Sequence, residues 1–143
     1  MTLYLDTSSV IKLYVSESGS EAVRALVGAA SVVTTSVVTY AETRAALARL
    51  RRERAMTGSA LLAAKKAFQE QWPAFLALDA TDSLSREAGD LAEKYRLRGF
   101  DSIHLASYAE VARRAGPRDT QFSSFDDRLN RAARSLARVL VRA

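Results

Sequence analysis

Short apolar runs alternate with longer stretches of helical periodicity along this chain, and that alternation constrains its fold more than any other feature. Residues 3–5, 31–35, 75–78 and 120–123 read as buried strands, and 139–141 as a possible last edge strand. Between them, helices are expected over residues 8–15, 21–28, 37–54, 59–72, 82–95, 100–114 and 126–135, with Asp82 and Ser83 capping the fifth. Strands interleaved with helices in this way form a mainly parallel sheet covered on both faces. There is no internal repeat, low-complexity tract or linker, so residues 1–143 are expected to form a single domain.

A parallel sheet collects the C-terminal ends of its strands and the starts of the following helices on one side, where α/β proteins bind their ligands. Four acids fall there. Asp6 ends the first apolar run, and Thr7, Ser8 and Ser9 offer a helix N-cap behind it. Glu42 lies in the early turns of the helix after the second strand, whose apolar stripe is Val38, Ala41, Ala45 and Ala48. Asp101 opens a helix that is apolar nearly all round, and shares a face with His104, Leu105 and Tyr108. Asp126 follows the fourth strand, beside Asp127.

Each acid alone has an ordinary reading as a cap, a macrodipole partner or a surface group. His104 reads more readily as a hydrogen-bonded neighbour than as a ligand. Four carboxylates converging on one pocket, however, repel one another unless a cation is present. The chain has no cysteine and one histidine, which excludes disulfides, zinc-thiolate sites, cysteine nucleophiles and poly-histidine metal sites. Only oxygen ligands remain, and they favour Mg²⁺ or Mn²⁺.

The formal net charge of +5 comes mostly from arginine, since lysine stands only at positions 12, 65, 66 and 94. Arg49, Arg51, Arg52 and Arg54 gather at the distal end of the helix that carries Glu42. Cations around an acidic pocket suit a protein that processes phosphodiesters: the cations hold the backbone, and the carboxylates hold the metal. No apolar stretch approaches the roughly 20 residues of a membrane span, and the N-terminal residues have no basic leader. A cytoplasmic location is the expectation.

Four segments resemble the PIN-domain family, and within it the VapC-like toxic ribonucleases of type II toxin–antitoxin pairs. They are Leu3-Tyr4-Leu5-Asp6-Thr7-Ser8-Ser9, Val38-Thr39-Tyr40-Ala41-Glu42, Leu97-Arg98-Gly99-Phe100-Asp101-Ser102-Ile103-His104-Leu105-Ala106 and Phe122-Ser123-Ser124-Phe125-Asp126-Asp127-Arg128-Leu129. The last has Ser124 where that family usually has threonine, which keeps the hydroxyl. The resemblance implies an α/β/α sandwich on a five-stranded parallel sheet and a catalytic set of Asp6, Glu42, Asp101 and Asp126. It further implies Mg²⁺- or Mn²⁺-dependent endoribonuclease activity on RNA, frequent homodimerisation, and an antitoxin partner that blocks the site. Asp6 and Asp101 are the expected metal ligands, Glu42 and Asp126 complete the site, and Ser8 and Ser124 are hydrogen-bond partners around it.

Two rivals remain. Haloacid-dehalogenase-like phosphatases also begin with a strand ending in Asp and carry a late Asp pair, but they need a second acid where this chain has Ser8. A catalytically silent RNA-binding or interaction module would keep the fold, yet the four acids are all present.

Overall fold

Leu3, Tyr4 and Leu5 are all completely buried, and the pleat of a strand sends them alternately to two faces. Leu3 and Leu5 pack with Val10, Val23 and Phe68 on one face, while Tyr4 packs with Leu105, Ala109, Leu129 and Ala133 on the other. The strand they form, β1 (Thr2–Leu5), therefore lies inside the molecule with helices on both sides. In this computed structural model, which describes residues 1–143, β1 pairs in parallel with β2 (Val32–Ser36) and with β4 (Thr120–Ser123). β3 (Leu76–Leu78) extends the sheet beyond β2, giving the order β3-β2-β1-β4, all parallel.

The connecting helices are α1 (Thr7–Ile11), α2 (Ser20–Ala29), α3 (Val38–Arg52), α4 (Gly58–Gln71), α5 (Asp82–Tyr95), α6 (Gly99–Ala115) and α7 (Asp127–Arg142). Residues from α1, α2 and α4 cover the Leu3/Leu5 face, and α5, α6 and α7 cover the Tyr4 face. The result is the three-layer α/β/α arrangement expected from the alternation. Phe68 anchors one layer, with the rings of Tyr14, Tyr40 and Trp72 all within 5.5 Å of it, centroid to centroid. On the other side Tyr4 stacks on Phe122 of β4 at 5.7 Å. No helix is long and apolar enough to cross a membrane.

Four strands are present rather than five. Residues 139–141 belong to α7, where Leu129, Ala132, Ala133 and Leu136 bury one stripe at helical spacing and Leu140 continues it, leaving Val139 and Val141 exposed. The strand preference of two β-branched residues is outweighed by the long amphipathic repeat. In α3 the buried stripe is Thr39, Thr43 and Leu47, while Ala41 and Ala45 face solvent. The Thr39 hydroxyl is accommodated by the Thr35 hydroxyl, 2.8 Å away, so a polar residue takes the inner position.

Helix starts also differ in detail. Thr81 caps α5 through Leu84 N–H, in place of Asp82 and Ser83, and α1 is capped by Asp6 itself. α1 is one short turn, ending at Ile11 rather than near 15.

Candidate active site

Asp6 follows β1 at the C-terminal edge of the sheet and is only 4% exposed. Its Oδ1 accepts hydrogen bonds from Ser8 Oγ (2.7 Å) and from Ser9 N–H (3.0 Å), and Oδ2 accepts one from Ser124 Oγ (2.6 Å). The β1–β4 pairing brings Ser124 there: Leu5 lies opposite Ser123, and Asp6 N–H donates to the Ser123 carbonyl. Burial pushes the Asp6 carboxyl above the usual carboxylate range, against the pull of these donors and of His104. Three donors aimed at a buried carboxyl mark a position built to carry charge.

Glu42 enters from α3, about one turn past the end of β2. Its Oε1 accepts from Thr7 Oγ1 (2.6 Å) and lies 2.8 Å from His104 Nε2. Burial acts to raise its pKa, but the hydrogen bonds from His104 and Thr7 win and hold the carboxyl below its ordinary range.

Asp101 lies in the first turn of α6. Burial, then the nearby charge of Asp126, and further the charges of Asp6 and Glu42 push its carboxyl up, with His104 opposing; no protein hydrogen bond contributes. Asp126 is the N-cap of α7, its Oδ1 accepting Leu129 N–H at 2.7 Å. The loop before it is tied by Asn130 Nδ2 donating to the Ser124 carbonyl (2.8 Å) and by Phe125 N–H donating to Ser8 Oγ (2.9 Å).

All four sequence-predicted acids thus meet at one end of the sheet, and Asp101 feels the other three. Asp127 stands beside them as an acid in the first turn of α7. Sequence reasoning passed over Tyr4, Thr7 and Asn130. Thr7 had a signal, a hydroxyl between two residues already singled out; Tyr4 and Asn130 had none beyond their place in a strand and a helix. Arg49, Arg51 and Arg52 lie in the last turn of α3 with Arg54 just beyond it, and Arg49 is paired with Glu53 at 2.9 Å.

The donor set fits a hard divalent cation: carboxylate oxygens only, with mutual repulsion that a cation relieves. No three of the acidic or histidine side chains are drawn together into a ready-made cage. Ser8, which stands where a dehalogenase-like phosphatase needs its second acid, is instead a hydrogen-bond donor to Asp6. A cavity of about 690 Å³ between β2, β3 and the α5–α6 pair, lined by Thr34, Leu76, Leu84 and Val111, holds none of the four acids.

Comparison with known proteins bears on the family and the fold. A family model described as PIN domain matches residues 3–135. Ribonuclease VapC45 of Mycobacterium tuberculosis (strain CDC 1551 / Oshkosh) is 36% identical over 109 residues, covering 76% of this chain and 76% of the relative. Ribonuclease VapC49 of strain H37Rv matches with the same identity and coverage. Among solved structures, M. tuberculosis VapC20, described as a toxin that cleaves the sarcin-ricin loop, superposes with a TM-score of 0.64 at 21% identity. That match covers 91% of this chain and 94% of the other, and is a likeness of fold.

Proposed function

This chain belongs to the PIN-domain family, and from that premise we propose that it is a divalent-metal-dependent endoribonuclease, the toxin of a toxin–antitoxin pair. The observation that carries the reading is the convergence of Asp6, Glu42, Asp101 and Asp126 on one sheet edge, with Asp101 pushed up by burial and by the three other acids. Such a charge cluster is costly without a counter-ion. The two ribonuclease relatives support the same chemistry.

In this reading Asp6 and Asp101 hold Mg²⁺ or Mn²⁺, and Glu42 and Asp126 complete the acidic set. When bound, such a cation supplies water activation and stabilisation of the charge that develops on the phosphoryl group. The chain's own residues do the rest. Ser8, Ser9 and Ser124 fix the orientation of Asp6 and favour its charged form against burial. Thr7 and His104 fix Glu42 and hold it in its charged form. Asp101, free of protein donors, keeps both oxygens for the pocket. The net reaction is hydrolysis: water oxygen bonds to phosphorus, one ester P–O bond breaks, and the leaving oxygen takes the proton.

Phe100 and Phe125, each immediately before one of the acids, are 57% and 45% exposed. Exposed aromatics beside a phosphodiester site suit stacking of unpaired RNA bases. The same proposal includes a cytoplasmic location, a homodimer and an antitoxin protein that covers the site. A genomic neighbourhood without any small partner reading frame would count against the toxin role and leave the nuclease.

The test uses purified protein with structured RNAs, in Mn²⁺ or in EDTA, alongside Asp6→Asn and Asp101→Asn. Cleavage by wild type in Mn²⁺, lost in EDTA and in both variants, is expected. Equal cleavage by all three proteins points to a contaminating nuclease and sinks the assignment.

A further inference from the structure

The one histidine of the chain links three elements that carry the site. His104, on α6, is 2% exposed. Its Nδ1 lies 2.9 Å from the Tyr4 hydroxyl on β1, and its Nε2 lies 2.8 Å from Glu42 Oε1 on α3 and 3.2 Å from Thr7 Oγ1. The direction of each bond follows from hydrogen-bond accounting. Tyr4 is completely buried, and Nδ1 is the acceptor within reach of its hydroxyl. The buried Ser107 hydroxyl makes no hydrogen bond, so it does not compete with Nδ1 for the phenol proton. A buried hydroxyl with nothing to donate to is costly, so its proton points at Nδ1. Nδ1 is then the unprotonated nitrogen, the ring proton sits on Nε2, and it is aimed at Glu42.

Thr7 Oγ1 donates to the same carboxylate oxygen. Oε1 of Glu42 is therefore taken by two protein donors, while Oε2 has none. Neither donor lies on α3 itself. The orientation of Glu42 comes from Thr7 on α1 and His104 on α6, with Tyr4 on β1 behind the imidazole.

We propose that Tyr4 and His104 are positioning residues for Glu42: the phenol fixes the imidazole tautomer, and the imidazole with Thr7 fixes the carboxylate so that Oε2 is the oxygen offered to the cation. The inference rests on the metal-site reading above, and deepens it. Outer residues that orient ligating groups typically matter about 10–100-fold for metal affinity, which sets the effect to look for.

The first measurement needs no metal. ¹⁵N-histidine labelling gives a single imidazole, whose two ring nitrogens resonate separately when one is protonated and the other is not. In wild type in EDTA at neutral pH, a fixed Nε2–H tautomer is expected, and in Tyr4→Phe that fixed pattern is lost. An Nδ1–H tautomer, or an imidazolium with both nitrogens protonated, overturns the inference.

The second measurement is Mn²⁺ binding by calorimetry for wild type, His104→Leu and His104→Gln, with the melting temperature of each in EDTA as the folding control. His104→Leu is expected to weaken Mn²⁺ about tenfold or more, and His104→Gln, whose amide N–H replaces Nε2–H, to recover most of the loss. A folded His104→Leu that binds Mn²⁺ as wild type does overturns the positioning role alone. A wild type that binds no Mn²⁺ overturns the metal-site reading, and the inference with it.

Discussion

Ser124→Ala tests whether Asp6 carries a buried charge. Asp6 is 4% exposed and has three donors, of which Ser124 Oγ, at 2.6 Å, is the only one on Oδ2. A hydrogen bond to a charged group contributes about 1.5–3 kcal/mol, and one between neutral groups about 1 kcal/mol. Ser124 Oγ also accepts Asp126 N–H, but that N–H is exposed and water replaces the partner. The variant should therefore lose about 1.5–3 kcal/mol of unfolding free energy at neutral pH in EDTA, and only about 1 kcal/mol once Asp6 is protonated.

The sign follows from linkage. Burial sets the folded-state pKa of Asp6 above its unfolded value, so ionisation of Asp6 costs stability as pH rises through the folded pKa. Removing a donor that favours the charged form raises that pKa further. The gap between variant and wild type then opens as pH rises, and narrows to the neutral hydrogen bond's share as pH falls. Guanidinium denaturation at neutral and acidic pH reads the gap, with Ser124→Thr as the control that keeps the hydroxyl and should track wild type. A gap of equal size at both pH values refutes the reasoning, because Ser124 is then not serving a charge.

Asp101→Asn should abolish cleavage yet raise the melting temperature of the metal-free protein. Its carboxyl is pushed up by burial and by the charges of Asp126, Asp6 and Glu42, so the gain is present at neutral pH and shrinks as pH falls through that raised value; a lower melting temperature at neutral pH contradicts it. Saturating wild type with Mn²⁺ at 100 times its Kd should add about 2.7 kcal/mol of stability, and EDTA should remove it, as thermal unfolding will show. Arg96, Arg128 and Arg131 line a cleft of about 390 Å³ and form no ion pair. Reversing the charges of Arg128 and Arg131 should weaken RNA binding at low salt and flatten its salt dependence, by a slope of about one for each phosphate no longer neutralised. The same change at Arg51 and Arg52, further from the acids along α3, should do less, and equal losses would return both clusters to general electrostatics.

The parallel sheet was legible because its signals are local. Short apolar runs with helices between them leave few arrangements; β4 has the bounds its pattern predicts, and α5 ends where its pattern does. The differences arise at residues that local pattern does not rank. Alanine at 41 and 45 fits either face of a helix, whereas Thr39 turns inward because Thr35, on the preceding strand, provides a partner for its hydroxyl. Val139 and Val141 favour a strand by type, but a stripe running from Leu129 to Leu140 carries them into α7. The support of Glu42 lay further out of reach: Tyr4 and His104 are 100 positions apart in sequence, and Glu42 and His104 are 62. Pairings at that range are set by how β1, α3 and α6 pack, which periodicity does not encode.

The four acids were visible from the sequence, but each carried the alternative that it was merely a helix cap. In the structure two of them, Asp6 and Asp126, are caps. A carboxylate has two oxygens, and at Asp6 one of them, Oδ1, caps α1 through Ser9 N–H while Oδ2 receives only Ser124. At Asp126 Oδ1 caps α7 through Leu129 N–H, and Oδ2 has no protein donor. At Glu42 the split is between Oε1, held by Thr7 and His104, and a free Oε2. At Asp6 and Asp126 capping takes one carboxylate oxygen and leaves the other without a helix N–H. Being a cap therefore does not exclude a second role for an acid at the start of a helix behind a parallel strand: the helix N-terminus holds one oxygen still and leaves the second for another partner. Asp101, which has no such anchor, is the acid whose carboxyl a cation has most freedom to reorient.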